Sequence, residues 1–406
     1  MEAYIIEWLN MLLRWAHLIV GIAWIGFSFY FVWLDTNLNR PPQHPEDEGV
    51  AGDLWSVHGG GFYHAQKYQL APDKIPEPLH WFKWEAYTTF LTGFALLVVL
   101  YYFNADVYLV DKSVADLSSV QAILISLFIL VLGWVIYDLL CKSRLDDRGI
   151  AIVGFLFLLV VIYAVFHLFG GRGAYTQIGT MLGTTMVANV FFVIIPGQKE
   201  LVAAKLRGEE PDPVYGLRGK QRSVHNNYIT LPVLFVMLSN HYPMLYGHEY
   251  NWLLLIVIFI AGALIRHFFN LRNQGRLVPM LPVIAVIILM ATAWFIAPDS
   301  VKGKSQSGSL TETQASLVNV SFPEVTNIIE ERCVICHSAT PNHPTAPVAP
   351  NGVMFDTAEQ IAQWADRIYE RTVVTRTMPL ANLTTISDEE REKIAGWYET
   401  GAKTSL

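Results

Sequence analysis

Eight apolar runs without a charged residue follow one another through the first three quarters of this 406-residue chain. Most reach the ~20 residues that a helix needs to cross the hydrocarbon core of a bilayer. One such run can be a buried helix of a soluble protein, but eight in succession argue against that class. The sequence predicts a polytopic bundle of eight transmembrane helices. The runs are residues 15–34, 86–105, 117–137, 149–171, 173–198, 223–248, 250–265 and 277–298, the seventh continuing through Arg266 and His267.

Charge content divides the chain into two parts. Charged residues make up 41 of the first 300 positions and 22 of the last 106, and soluble domains average about 25%. We expect a membrane domain over 1–298, a flexible Ser-, Gly- and Thr-rich linker over 299–318 and a soluble domain over 319–406. The net charge of −7 excludes nucleic acid as a partner, because a phosphate-binding surface is basic.

Between the runs, 15 lysines and arginines lie in the first, third, fifth and seventh connections, and only two lie in the second, fourth and sixth. Basic connections stay in the cytoplasm, so both termini are expected on the other side, the periplasm of a diderm cell. The first run follows Glu2 and Glu7, lacks the net basic n-region of a signal peptide and is too long for its apolar h-region, so it is expected to stay as helix one. The predicted location is the bacterial inner membrane, with several passes through the lipid bilayer.

The soluble part contains Cys333-Val-Ile-Cys336-His337, and Cys-x-x-Cys-His is the attachment signature of c-type haem. The two thiols would form thioethers with the haem vinyl groups, and His337 would be the proximal iron ligand. The alternatives are a redox dithiol and half of a zinc site. A dithiol does not need the histidine, and the remaining cysteine, Cys141, lies in the membrane part.

Three predicted helices surround this motif. Val325, Ile328 and Ile329 form a helical stripe over 322–332. Asp356, with Glu359 at N3, is expected to cap a helix over 356–373, and Ser387 with Glu390 to open a C-terminal helix.

This order of elements resembles a small class I cytochrome c domain. In that family the distal iron ligand is a methionine in a Met-Pro turn before the last helix, and Met378-Pro379 stands in that place. Met354 is the competing candidate, but it lacks the proline and lies closer to the haem motif. Ligation by Met and His raises the haem potential, which suits an electron acceptor.

Polar residues inside a membrane are functional candidates because they are costly there. His17, Gly21 and Trp24 fall on one face of helix one, as a b-type haem packed between helices would require. His167 and His241 could share the outer half of the membrane with His17 as further ligand candidates. The alternative is a His17 that hydrogen-bonds to a neighbouring helix.

The inner side of the predicted bundle carries His225, Asn226, Arg266 and His267. These residue types suit a planar, anionic ligand that forms hydrogen bonds, so they are the candidate substrate and catalytic residues. The alternative is that Arg266 is only an arginine at the inner membrane interface.

Several stretches together resemble the membrane-bound bacterial urate hydroxylases, or urate oxidases, that carry a C-terminal cytochrome c domain. The resemblance covers essentially the whole chain and implies an all-α fold. It also implies oxidation of urate to 5-hydroxyisourate, with electrons leaving through cytochrome c to a respiratory acceptor such as a soluble cytochrome c or a terminal oxidase. The stretches are WAHLIVGIAWIGFSFYFVWLD, VHGGGFYHAQKY, LHWFKWEAYTTFLTGFALL, HNNYITLPVLFVMLSNHYP and RHFFNLRN.

Urate gives up two electrons, whereas a haem iron takes one at a time. The predicted route runs from a cytoplasmic-side urate pocket through a membrane haem on His17 to the haem on His337 and Met378, with water supplying the oxygen. The leading alternative is a quinol–cytochrome c relay without urate chemistry, in which His241 and Tyr242 line a lipid-side pocket. A transporter with a tethered cytochrome ranks last, because the sequence has no evident inverted repeat.

Overall fold

The computed structural model describes residues 2–39, 49–297, 320–343, 346 and 349–404. The first part is a bundle of helices, and the predicted linker 299–318 lies outside the described residues. The helices are α1 Glu2–Asn37, α2 Trp84–Leu97, α3 Ala105–Tyr108, α4 Ser119–Cys141, α5 Asp147–Phe166, α6 Gly171–Asn189, α7 Ile195–Leu206, α8 Pro213–Ser239, α9 Pro243–Tyr246, α10 Asn251–Asn273 and α11 Met280–Phe295. Two π-helical segments, Val98–Tyr102 and Val190–Ile194, extend α2 and join α6 to α7.

Within the described residues, six helices are long and apolar enough to cross a membrane. The six segments correspond to all the predicted runs except the sixth and the eighth. The sixth run lies in α8, whose first half is polar, and the eighth lies in α11, whose 16 residues span about 24 Å, less than the ~30 Å of hydrocarbon. The segments are Trp8–Asn37, Trp84–Tyr102, Ser119–Cys141, Asp147–Phe166, Gly171–Leu206 and Asn251–Asn273.

Helix α6 lies at the centre of the bundle and packs on α2, α4, α5 and α8. Most of its side chains are buried. Small residues allow this close packing, because a Cβ at Gly179 would lie 2.4 Å from Val236 Cγ1 on α8. Helix α1 lies outside this group and packs on α2, α8 and α10.

The connection after α1 contains a β-hairpin, which the all-α prediction missed. Strands β1 (Val50–His58) and β2 (Gly61–Tyr68) pair antiparallel. The turn between them is Gly59-Gly60, and both residues have positive φ, +58° and +81°, as a two-residue hairpin turn requires. Val57, Phe62 and Tyr63 close to the turn are β-branched or aromatic, which favours strands.

The two ends of the bundle contact different parts of the chain. At one end α1 ends beside α8, since Lys220 Nζ lies 2.9 Å from an Asp35 carboxylate oxygen, and the segment after the hairpin meets α7, since Lys205 Nζ lies 3.3 Å from Asp73 Oδ1. At the other end α3 contacts residues of the C-terminal unit.

The C-terminal unit is a small helical domain with its own core. Its helices are α12 Phe322–Arg332, α13 Ala358–Gln363, α14 Ala365–Tyr369 and α15 Asp388–Glu399. Shorter segments are a π-helical turn, Glu370–Val374, and two 3-10 turns, Pro350–Gly352 and Leu380–Asn382. The core joins Val325 and Ile329 of α12 to Ile394 and Trp397 of α15.

Sequence reasoning placed α12 and α15 correctly and erred on the segment between them. Thr357, not Asp356, caps α13, with Gln360 rather than Glu359 at N3 of the capping box. The Asp356 carboxylate instead accepts a hydrogen bond of 2.8 Å from the backbone N–H of Ala339. The predicted helix 356–373 is broken at Trp364 and ends in the π-helical turn, where a run of β-branched residues begins.

Candidate functional site

Polar residues at the start of the apolar half of α8 face two different sides of the bundle. His225 and Asn226 contact α4 and α6, whereas Asn227 and Tyr228 contact α10. The four predicted substrate residues are therefore divided between two clusters.

The cluster toward α4 and α6 is centred on a buried ion pair. Arg222 Nη2 lies 2.7 Å from Asp138 Oδ1, and both side chains are less than a tenth exposed. Arg222 Nη1 also donates to Asn189 Oδ1 at 3.4 Å. Lys142 gives Asp138 a second cation at 2.6 Å. Asp138 therefore compensates the buried charge of Arg222, whereas the second cation, Lys142, is exposed to solvent.

His225 and Asn226 belong to this first cluster. His225 Nδ1 lies 2.7 Å from the Tyr137 hydroxyl. Asn226 accepts from Asn189 Nδ2 at 2.9 Å and donates to the Met186 carbonyl at 2.9 Å. These bonds satisfy the amide of Asn226 and hold α8 against α4 and α6.

The cluster toward α10 is centred on Arg266, which is buried at 5% exposure. Its Nε donates to Asn227 Oδ1 at 2.7 Å and its Nη2 donates to Asn270 Oδ1 at 3.1 Å. The guanidinium carbon lies 4.0 Å from the centroid of the Phe29 ring on α1. Arg266 is thus held at the meeting point of α1, α8 and α10.

Two features of this cluster call for a ligand. Among the described residues, no ion pair involves Arg266, so its buried charge has no carboxylate to compensate it. The Nδ2 of Asn227 is buried without a hydrogen-bond partner, and Asn227 itself is fully buried. An unpaired cation and an unsatisfied donor are both costly in an apolar interior. One anionic acceptor would satisfy both.

His267 follows Arg266 on α10 and makes the next contact to α8. Its Nδ1 lies 2.7 Å from the Tyr228 hydroxyl. The pairs Asn227–Arg266 and Tyr228–His267 therefore bridge α8 and α10 one after the other. A histidine that shares a proton with a tyrosine beside an anion site can accept a proton from a ligand.

The three histidines nominated for a membrane haem are not joined to one another by any hydrogen bond or ring contact among the described residues. His17 Nδ1 lies 3.0 Å from both the Thr89 carbonyl and Thr92 Oγ1 on α2, and a Cβ at Gly93 would meet its ring at 2.8 Å. His167 Nδ1 donates to the Tyr163 carbonyl at 2.7 Å, and His167 and His241 are exposed. The interhelical hydrogen bond expected as the alternative for His17 is present.

The Cys-x-x-Cys-His motif begins where α12 ends. The N–H groups of Cys336 and His337 donate to the Cys333 carbonyl at 3.1 and 3.0 Å, which winds the motif into a tight turn. His337 Nδ1 lies 3.0 Å from the Val353 carbonyl. That bond places the Nδ1 proton and leaves Nε2 as the lone-pair nitrogen, as an iron-ligating histidine requires.

The thiols favour haem attachment over the two alternatives. Burial raises the pKa of the Cys333 thiol to about 12, and the neighbouring Cys336 adds to the shift. A redox dithiol needs a lowered thiol pKa. Among the described residues, no three His, Cys, Asp or Glu side chains form a cluster that could hold a metal ion. The residues present therefore fit a c-type haem.

Met378 lies in a turn that its own domain holds in place. Its N–H donates to the Arg371 carbonyl at 3.0 Å, and its carbonyl accepts from Arg391 Nη1 at 3.0 Å. Arg391 is buried and comes from α15. Met354, the competing candidate, lies in the extended segment between Gly352 and Phe355.

Some residues of these clusters were not nominated from the sequence. Asn227 and Asn270 stand in polar stretches that sequence reasoning noted without assigning them a role. There were weaker reasons in the sequence to single out Phe29, Asp138 and Arg222. A lone acid at the end of an apolar run, such as Asp138, is the feature that could have pointed to a buried ion pair.

A comparison with protein-family models matches residues 3–297 to the family described as Urate oxidase N-terminal. The matched segment contains both polar clusters and ends with α11, before the C-terminal unit. Comparisons with curated proteins and with solved structures found no match.

Proposed function

The chain belongs to the urate oxidase N-terminal family, and on that basis we propose that it oxidises urate to 5-hydroxyisourate at the Arg266 cluster. Urate is a planar anion near neutral pH. The buried Arg266 charge without a carboxylate partner, beside the unsatisfied Asn227 amide, is the observation that carries this proposal. Arg266 was already a candidate from the sequence. Its burial without a carboxylate partner is the physical reason to expect a bound anion there.

Each residue of this cluster would have its own role in the reaction. Arg266 and Asn227 bind and orient the anion, and Asn270 holds the guanidinium in place. His267, hydrogen-bonded to Tyr228, accepts a proton as water adds to the ring. Urate and water then give 5-hydroxyisourate, two protons and two electrons. His225 and Asn226 keep α8 in place through their contacts with α4 and α6.

We propose that electrons leave through a c-type haem held by Cys333, Cys336, His337 and Met378. The haem supplies a one-electron acceptor. Support comes from the His337 Nδ1 hydrogen bond to Val353 and from the buried, protonated thiol of Cys333. Because each transfer carries one electron, two transfers follow each urate. A respiratory acceptor, either a soluble cytochrome c or a terminal oxidase, would then reoxidise the haem.

A b-type haem on His17 is the proposed intermediate carrier. His17 precedes Phe29 by 12 residues of α1, which is about 18 Å along the helix. It therefore lies between the Arg266 cluster and the opposite end of the bundle. The hydrogen bond from Nδ1 to the Thr89 carbonyl leaves Nε2 available as a ligand.

We propose further that α8 and α11 also cross the membrane, which makes eight spans. The C-terminal unit then lies on the periplasmic side of the inner membrane, together with the N-terminus. The excess of basic residues in the connections that carry Lys205 and Lys220 supports this orientation. The contact between α3 and residues 380–382, at the other end of the bundle from these connections, also supports this orientation.

Anaerobic titration with urate, followed by haem absorbance, tests the proposal. Urate should reduce the haem of the purified protein in the absence of oxygen, with two haem equivalents reduced per urate. Reduction by ubiquinol but not by urate would support the quinol relay instead and would refute urate oxidation.

A further inference from the structure

The outer end of the bundle makes a close contact with the turn that carries Met378. A Cβ at Gly247, just after α9, would lie 2.6 Å from the Thr375 carbonyl oxygen and 2.8 Å from Thr377 Cγ2. Such distances are below any van der Waals contact, so only glycine allows the two surfaces to approach this closely. Thr375 is 7% exposed and is therefore buried.

Two neighbouring contacts extend this surface. Arg371, which precedes the turn, lies near the Tyr246 side chain of α9. On the other side, α3 packs on the 3-10 turn Leu380–Asn382 that follows Met378 and Pro379. The bundle therefore contacts the segment just before Met378, the turn itself and the segment just after it.

Both partners of this contact are rigid. On the C-terminal side, the Met378 carbonyl is held by Arg391, and Thr375 bonds to Thr377 and to the Glu370 carbonyl. On the bundle side, Asn251 Nδ2 donates to the Tyr246 carbonyl at 2.9 Å. Surfaces that are held in place before they meet lose little entropy when they dock.

Aromatic side chains fill the bundle directly beneath this surface. The rings of Tyr101 and Tyr108 lie 6.0 Å apart, and the Arg172 guanidinium lies 5.0 Å from the Tyr108 ring. The Tyr101 hydroxyl donates to Asn240 Oδ1 at 3.0 Å. The contact is therefore continuous with packed protein that reaches into the outer half of the bundle. Tunnelling across packed protein falls steeply with distance, so the closest contact is the favoured point of transfer.

We propose that Gly247, Tyr246 and α3 form the docking surface for the Met378 turn, and that electrons from the bundle enter the C-terminal domain across it. This inference rests on the proposed function, because it takes urate oxidation as the electron source. Each event moves one electron from the reduced donor in the bundle to the ferric haem. Two events carry the two electrons released when urate and water become 5-hydroxyisourate and two protons.

Gly247→Leu in the full-length holoprotein tests the inference. The leucine forces the turn away by about 1 Å or more, since contacts settle near ~3.5 Å. Because a tunnelling rate falls exponentially with distance, a displacement of that size should lower the transfer rate several-fold. Anaerobic haem reduction by urate should slow by that factor, while urate binding and haem reduction by ascorbate stay at wild-type values. Gly219→Leu is the matched control, because a Cβ there meets nothing within 4 Å.

A cysteine pair tests the contact independently of activity. Gly247→Cys with Thr377→Cys places the two Cβ atoms within the range of a disulfide, since Thr377 Cγ2 is one bond from its Cβ. Mild oxidation should join the pair in membranes. Gly247→Cys with Glu324→Cys, on α12, which packs on α15, is the control that should stay unjoined.

The outcomes separate this inference from the proposed function. Two results overturn electron entry at this surface and leave urate oxidation standing. One is that urate reduces the haem of Gly247→Leu at the wild-type rate. The other is that the two introduced cysteines do not form a disulfide. Absence of urate-driven reduction in the wild-type protein overturns the proposed function, and electron entry by this route with it. Slow reduction in Gly247→Leu together with a formed disulfide supports the inference.

Discussion

The role of Arg266 gives the sharpest prediction, because a ligand-binding arginine and a structural arginine respond differently to replacement. In Arg266→Gln the urate anion loses a buried charge-assisted partner, and truncating such a partner costs about 2–4 kcal/mol. The dissociation constant for urate should rise about 30- to 700-fold. Glutamine can keep one hydrogen bond to Asn227 or Asn270, and the variant no longer buries an uncompensated charge. The apparent Tm without urate should therefore change by less than about 3 °C.

Equilibrium binding of urate and thermal unfolding, both on purified protein in lipid nanodiscs, measure these two quantities. Urate at 100 times its wild-type dissociation constant should stabilise the wild-type protein by about 2.7 kcal/mol, and the same urate concentration should stabilise the variant by only about 0.1–0.9 kcal/mol. Arg272→Gln is the matched control, since Arg272 lies on the same helix and is exposed. Unchanged urate affinity in Arg266→Gln, or an equal loss in Arg272→Gln, would refute the anion site.

Three further predictions concern other parts of the molecule. Arg222→Gln should lower the apparent Tm more than Arg266→Gln does, because it leaves Asp138 buried with only Lys142 as partner; a smaller loss would contradict the assignment of the two clusters. His17→Leu should remove the extractable, non-covalent haem from pyridine haemochrome spectra and leave the covalent haem; retention of both signals argues against His17 as ligand. Desolvation favours the neutral Glu390 carboxyl, but the Ser387 N–H and Arg332 outweigh it and lower its pKa, so Glu390→Gln should cost about 1 kcal/mol at neutral pH. That cost should vanish as the pH falls through the lowered pKa, and thermal scans at pH 7 and about pH 3 should show it.

Much of the helical framework was predictable from the sequence because its signals are local. A charge-free run fixes where an apolar helix can lie, and the helix from Ser119 to Cys141 matches its run closely. Capping boxes are also local, and the one formed by Ser387 and Glu390 is present as predicted. The same holds for α12, whose stripe of Val325, Ile328 and Ile329 is buried.

The predictions failed where two local signals compete, or where the structure depends on which residues are buried. Asp356 and Thr357 are both good capping residues, and the contact of Asp356 with Ala339, 17 positions away, decides between them. The Gly59-Gly60 pair lies in a stretch that sequence reasoning used only for the family resemblance, and its fit to a hairpin turn was missed.

Sequence alone could not divide the polar residues of α8 between two clusters. Neighbouring positions on a helix point about 100° apart, so His225 and Asn227 face different helices although only one residue separates them. The packing of α8 against α10, which are distant in sequence, determines which face of α8 lies against an arginine without a carboxylate partner. The distinction between Arg222 and Arg266 rests on the same packing, since only Arg222 has Asp138 beside it.

The central claim is that urate bound at Arg266 delivers its electrons to the haem of the C-terminal domain. Stopped-flow mixing of oxidised full-length protein with urate, without oxygen and followed at the haem absorbance, tests it most directly. The account predicts rapid reduction in the wild-type protein, two haem equivalents per urate, and loss of that reduction in Arg266→Gln at urate concentrations that saturate the wild type. Haem that stays oxidised with urate, or that is reduced equally fast in Arg266→Gln, would contradict the account.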